Sequence, residues 1–155
     1  MPVTMSNRQR RVAVKTPFVK RQTRRMMVYL GCQDRELSVV FVHDEGMRSL
    51  NREYRSKDRS TNVLAFPQCQ TYPGEPQTLM LGDIVVSLPT AAREAMDLGQ
   101  SLEERVVFLL AHGLLHLLGY DHEGSESQRL CMERREHEIL SYLKEHMVSS
   151  GYPQT

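Results

Sequence analysis

The stretch HGLLHLLGYDH, residues 112–122, limits what this chain can fold into more than any other feature. It closes an apolar run from Val106 to Leu118 that starts behind a capping box, Ser101 with Glu104, and stops at Gly119. The spacing predicts a helix that is apolar nearly all round and lies central and buried. Such a helix gains nothing from His112 and His116 unless something binds them. Residues four apart differ by about 40° in azimuth and sit roughly 6 Å apart, so both imidazoles can reach one centre. Gly119 tolerates the left-handed conformation that reverses the chain and returns His122 to the same face. Three imidazoles with a fourth position left open form the pattern of a catalytic zinc site, here one ion per chain.

The same spacing occurs in metzincin proteases, H-E-x-x-H-x-x-G-x-x-H. His112, His116, Gly119 and His122 fall on its histidine and glycine places, but Gly113 stands where the proteolytic base Glu would be. The metal cage is matched and the peptidase base is not, which counts against peptide hydrolysis. A closed structural zinc site would need a fourth protein ligand, and none stands at a usual spacing. Asp121 and Glu123 flank His122 and are placed to orient a ligand, to accept a proton or simply to face solvent. His43, His137 and His146 lack partners at ligand spacing.

The rest of the chain reads as strands mixed with helices. RRVAVK starts as a short strand, and Thr16-Pro17 opens a helix to about Leu30. Residues Glu36–His43 alternate as a strand. Asp44 caps a helix bearing Met47, Leu50, Asn51 and Tyr54. A polar loop leads to the strand NVLAF, then come a Pro/Gly-rich loop over 68–80 and the strand Leu81–Ser87. Ser87 and Pro89 start a helix that Gly99 ends, and a charged helix runs from about Glu126 to Met147. Strands and helices do not alternate regularly, so the fold class is α+β: a small mixed β-sheet packed with helices around a central buried metal-ligand helix. Residues 1–148 form a single domain and residues 149–155 a flexible tail.

Charge is unevenly spread beneath a net +1. All eight basic residues from Arg8 to Arg25 precede the first acid, Asp34, so the N-terminal part could present a positive surface to phosphates or pair with the acidic C-terminal half. Cys32, Cys69 and Cys131 are scattered without a CxxC pair, as in a chain of the reducing cytoplasm. No run approaches the ~18 apolar residues of a membrane span, and the basic start lacks the apolar segment of a secretory signal.

The histidine stretch resembles the H-G-x-L-H-L-x-G-Y-D-H signature of the YbeY family of bacterial endoribonucleases. LNREYRSKDRSTNVLAFP (residues 50–67) and LGDIVVS resemble the family's other two blocks, in the same order. Ala65 stands where the family usually has Ser, and Ser60 where it often has Pro. The resemblance implies a zinc ion on His112, His116 and His122, and it carries the family's functional arginine onto Arg55. It also implies an endoribonuclease acting on single-stranded segments of ribosomal RNA at the 16S 3′ end, with a part in ribosome quality control. The partners implied are ribosomal RNA and the ribosome or its small-subunit proteins, with neither DNA nor membrane. The chemistry suits the residues: zinc lowers the pKa of water toward ~7, and a guanidinium offers phosphate a permanently charged planar fork. Arg55 could instead be a structural partner of Asp83 or Asp58. Tyr120 could stack on a base or pack at the helix end. An assembly factor with a structural zinc is the other reading of the same residues.

Overall fold

The computed structural model describes residues 3–68, 79–121 and 123–149, with side chains up to residue 145. Four strands form one mixed sheet in the order β1-β2-β4-β3. Strands β1 (Val3–Asn7), β2 (Glu36–Val42) and β4 (Met80–Ser87) are parallel, and β3 (Val63–Pro67) runs antiparallel to β4. Five helices surround it: α1 (Thr16–Tyr29), α2 (Asp44–Arg55), α3 (Leu88–Leu98), α4 (Leu102–Leu117) and α5 (Glu126–Ser149). The class is α+β, as the sequence pattern predicts. No described helix is long and apolar enough to cross a membrane.

Strand alternation divides the core between the two faces of the sheet. Leu37, Val39, Phe41, Ile84 and Val86 join α1, α3, α4 and α5 in the main core. On the other face Val42, Leu64 and Val85 pack with Met47 of α2 in a smaller cluster. Helix α4 is the centre of the main core: Val106, Val107, Leu109, Leu110, Ala111, Leu114, Leu115 and Leu117 are all buried. Each Leu or Val there contributes about 1.5–3 kcal/mol on leaving water. The capping box at its start is present, with the Glu104 amide donating to Ser101 Oγ at 3.1 Å and the Ser101 amide to Glu104 Oε1 at 3.4 Å. At its end Gly119, with φ +102°, closes a Schellman turn. The Tyr120 amide donates to the Leu115 carbonyl at 3.0 Å and the Gly119 amide to that of His116, also at 3.0 Å.

Two local expectations are corrected. RRVAVK is not the first strand; that strand is Val3–Asn7. Buried Gln9 is the reason: its Oε1 accepts from the Arg11 and Val12 amides and its Nε2 donates to the Val12 carbonyl, so a side chain takes the bonds a neighbouring strand would have offered. The cap of α2 is His43, whose Nδ1 accepts from the Gly46 amide at 3.0 Å. Asp44 is the first helical residue, and its carboxylate does other work.

Asp44 Oδ1 accepts from Ser87 Oγ at 2.7 Å and Thr90 Oγ1 at 2.6 Å, while Arg93 reaches Oδ2 at 2.9 Å. These bonds tie the start of α2 to the end of β4 and the start of α3. Burial pushes the carboxyl's pKa up, but the donors from Thr90, Ser87 and Arg93 outweigh it and hold the value at about 2, below the ordinary 3.8. The ionised form therefore stabilises the fold above the ordinary carboxylate range, and that contribution is lost as pH falls through about 2. Asp44→Asn is expected to cost roughly 1–2 kcal/mol in urea unfolding at neutral pH. The gap between variant and wild type should close as pH is lowered from 4 toward 2; a gap independent of pH would contradict this account.

Candidate metal centre and cleft

On α4 only a stripe made by Arg105, Phe108, His112 and His116 is half-exposed within the buried stretch. The two imidazoles sit with ring centroids 4.8 Å apart, edge to face. Phe108 stacks beside His112 at 6.4 Å, and the Arg105 guanidinium lies 4.6 Å over the Phe108 ring. His112 Nδ1 lies 3.4 Å from Oε1 of Glu136, which α5 presents from its buried face. A carboxylate at one ring nitrogen fixes the tautomer and ring orientation and leaves the other nitrogen for a ligand, the usual support behind a metal-binding histidine. The donor set thus fits a divalent ion such as zinc held by His112 and His116. His122 lies outside the described residues, and among those described no group of three His, Cys, Asp or Glu residues is gathered for a metal.

His116 faces a cleft of ≈ 440 Å³. Arg55 and Tyr54 from the end of α2, Leu64 and Phe66 from β3, and Glu123 after the α4 turn line its other sides. Arg55 and His116, sixty-one positions apart in sequence, therefore share one cavity. Arg55 is held there by the way α2 ends. Ser56 takes the left-handed conformation, φ +57°, and the Lys57 amide bonds back to the Asn51 carbonyl at 3.2 Å. Buried Asn51 then pins the following loop by donating to the Arg59 carbonyl at 2.8 Å. Arg55 Nη2 lies 3.7 Å from Glu123 Oε1. Asp58, one of the partners the sequence offered for Arg55, is taken by Arg48 at 2.8 Å.

The remaining sequence candidates sort by environment. Asp121 shapes the turn, its Oδ1 accepting the Glu123 amide at 2.9 Å. Tyr120 packs against the main core, and the hydrogen bond its hydroxyl oxygen accepts from Arg135 is the chief influence raising that guanidinium's pKa. Cys32 is buried, burial pushing its thiol pKa up; Cys131 is exposed, and Cys69 lies outside the described residues. The basic N-terminal segment does not form one strip. Exposed Arg8 lies beside Val40 and Val85 on the α2 side of the sheet, whereas α1 packs against α4 and α5 on the other. Glu136 is the residue the sequence reading missed. Its signal was present: Met132, Glu136, Ile139 and Leu143 recur at helical spacing and all four are buried, so one charge sits on an apolar stripe.

Gly113 also acquires a physical role. A Cβ added there would lie 3.0 Å from Ile84 Cγ2 and 3.2 Å from Ile84 Cδ1, so the missing side chain lets α4 close directly onto β4. The glutamate of the metzincin pattern could not stand here without entering the core.

A mixed four-stranded sheet with a buried helix that carries two adjacent histidines, one of which, His116, faces an arginine-walled cleft, defines the class: an α+β protein with a candidate metal centre at the edge of its main core. Residues 4–144 match the family described as endoribonuclease YbeY. The endoribonuclease YbeY of Geobacter metallireducens is 46% identical over 145 residues, 93% of this chain and 97% of that protein. That of Geobacter sulfurreducens is 42% identical over 145 residues, with the same coverage of both chains. A solution structure of a Thermotoga maritima protein has the same fold, with a TM-score of 0.64 at 21% identity over 99% of this chain and 96% of that one. The chain belongs to the endoribonuclease YbeY family.

The packing at Gly113 is open to direct test. Gly113→Glu is expected to lose roughly 3 kcal/mol or more of stability from overpacking and a buried carboxylate. Thermal unfolding would register this as a clear drop in Tm, and an unchanged Tm would mean that α4 does not sit on β4 as described.

Proposed function

We propose that this protein is a zinc-dependent endoribonuclease that cleaves single-stranded segments of ribosomal RNA, in maturation of the 16S 3′ end and in ribosome quality control in the cytoplasm. The observation that carries this reading is that His116, beside His112 on α4, shares one cleft with Arg55, in a chain whose relatives are named endoribonucleases. His112, His116 and His122 would hold the ion, and Glu136 would keep the His112 ring in place. Zinc bound there supplies Lewis-acid polarisation of a phosphoryl oxygen and a lowered pKa for water.

The chain's own residues supply the rest. Arg55 presents a fork of N–H donors to the non-bridging oxygens of the scissile phosphate, exchanging its 3.7 Å contact with Glu123 for a doubly bonded anion. Released from that contact, Glu123 stands in the cleft with His116 as the carboxylate able to take a proton from the attacking water. Leu64, Phe66 and Tyr54 give the cleft apolar and aromatic walls that strengthen these charge contacts by limiting water. The reading extends to the ribosome and its small-subunit proteins as the setting in which the RNA is met. Peptide hydrolysis is disfavoured, because Gly113 leaves no base where that chemistry keeps one.

The test is cleavage of an RNA fragment carrying an unprocessed 16S 3′ end by zinc-loaded protein, beside His116→Ala. His116 is half-exposed, so the variant should keep its fold by circular dichroism. Wild type is expected to cleave and the folded variant to lose activity by a hundredfold or more, on the order of the loss of a metal ligand. Equal cleavage by both would remove the histidines from the chemistry. A variant that fails to fold would instead favour a structural zinc in an assembly factor.

A further inference from the structure

Tyr54 is among the most exposed large side chains of the described protein, at 61%. It is not isolated: its ring meets Phe66 edge-on with centroids 5.3 Å apart. The pair forms a ridge between two hollows. On one side lies the Arg55–His116 cleft; on the other a groove of ≈ 350 Å³ runs over the uncovered part of the α2-side sheet face, with Arg8, Val40, Asp83 and Val85 in its walls. Tyr54 and Phe66 line both, so the two hollows adjoin at the ridge.

Packing alone does not account for this placement. Phe66 is half-buried against the Val42, Met47, Leu64 and Val85 cluster, but Tyr54 leaves most of its ring in water just one residue before Arg55. A cation stands at each end of the path, Arg55 in the cleft and exposed Arg8 in the groove. An aromatic face between two cationic positions suits a single-stranded nucleic acid, which stacks a base on the ring while its phosphates meet the guanidinium groups. A duplex cannot use such a ridge, because its bases are already stacked. The Asp83 carboxylate in the groove repels phosphate but accepts from the exocyclic amine of a base, which places bases rather than backbone against that wall.

We propose that Tyr54, backed by Phe66, is the stacking platform for the nucleotide next to the scissile phosphate, and that the strand continues over the groove toward Arg8. This makes Tyr54 a binding and positioning residue and gives the site its preference for single strands. It rests on the nuclease reading for the position of the scissile phosphate, but the stacking itself is measurable without cleavage.

The chain contains no tryptophan, so Tyr54→Trp introduces a lone reporter at the ridge. The probe is a 2′-O-methyl RNA dodecamer, which binds without offering a reactive 2′-hydroxyl, used single-stranded and annealed to its complement. Saturable quenching by the single strand and none by the duplex is expected. Tyr54→Ala should weaken single-strand binding about tenfold, within the range for losing one stacked base, with the salt dependence unchanged because no phosphate contact is removed. Tyr54→Phe should restore affinity to within about twofold of wild type, because the ring face is kept. Equal quenching by single strand and duplex, or a Tyr54→Ala variant that binds like wild type, would overturn the platform. Cleavage of natural RNA run on the same samples separates the two ideas. Active wild type with Tyr54-independent binding sinks the platform alone, whereas Tyr54-dependent binding without cleavage supports the platform and sinks the nuclease.

Discussion

Helix α4 lies against β4 with the Ile84 side chain seated directly on Gly113, where even a methyl group would press on it. That contact fixes the depth and the rotation of the helix together. Once Gly113 faces the sheet, the flanking leucines fill the main core, and His112 and His116 fall on the one stripe that reaches water. A loop could carry the same residues, but it would not hold two imidazoles at a constant spacing against thermal motion. A helix locked by eight buried apolar neighbours does, because moving either ring means moving the core. β4 is equally constrained from its other neighbour: a Cβ on Gly82 would meet the Phe66 carbonyl oxygen at 2.5 Å and Leu117 Cδ2 at 2.8 Å. Two glycines therefore let β3, β4 and α4 come together tightly enough to form one wall of the cleft.

The cleft joins parts of the chain that are far apart in sequence. Arg55 arrives on the last turn of α2, and its direction depends on a left-handed serine and a buried asparagine rather than on a contact with α4. Asp44, at the opposite end of the same helix, fastens α2 to β4 and α3 through hydroxyl and guanidinium donors. Holding both ends of a twelve-residue helix is an economical way to aim its last side chain. Glu136 does the corresponding task for His112 from the other side, across the α4–α5 contact. The polar interactions that matter most here thus link elements, while the apolar ones set the elements' depth.

Much of this was legible in the sequence because local rules wrote it. The capping box at Ser101, the stop at Gly119, the Ser87-Pro89 start of α3 and the alternation of β2 each depend on residues within a few positions of one another. The β1 strand escaped notice because only Val3 of its five residues is buried, so an edge strand left no alternating pattern to detect. RRVAVK looked like a strand through its valines, but Gln9 satisfies that backbone from a side chain, which no propensity encodes. Glu136 and the Arg55–Glu123 contact were hidden for a different reason: both join segments that come together only when the helices pack. For the site, spacing alone pointed to a metal. The basic N-terminal run shows the limit of composition, since a continuous charge pattern in sequence became two surfaces on opposite faces of the sheet.

Under the proposed function, His112 and His116 on the half-exposed stripe of α4 would hold one zinc ion together with His122. Zinc-edge X-ray absorption on the purified chain, with the bound metal quantified, addresses it most directly. One zinc per chain, nitrogen neighbours at about 2.0–2.1 Å and the outer-shell scattering of three imidazole rings are expected. A sulfur neighbour at about 2.3 Å, or a chain that purifies and refolds in excess zinc without retaining the metal, would contradict it.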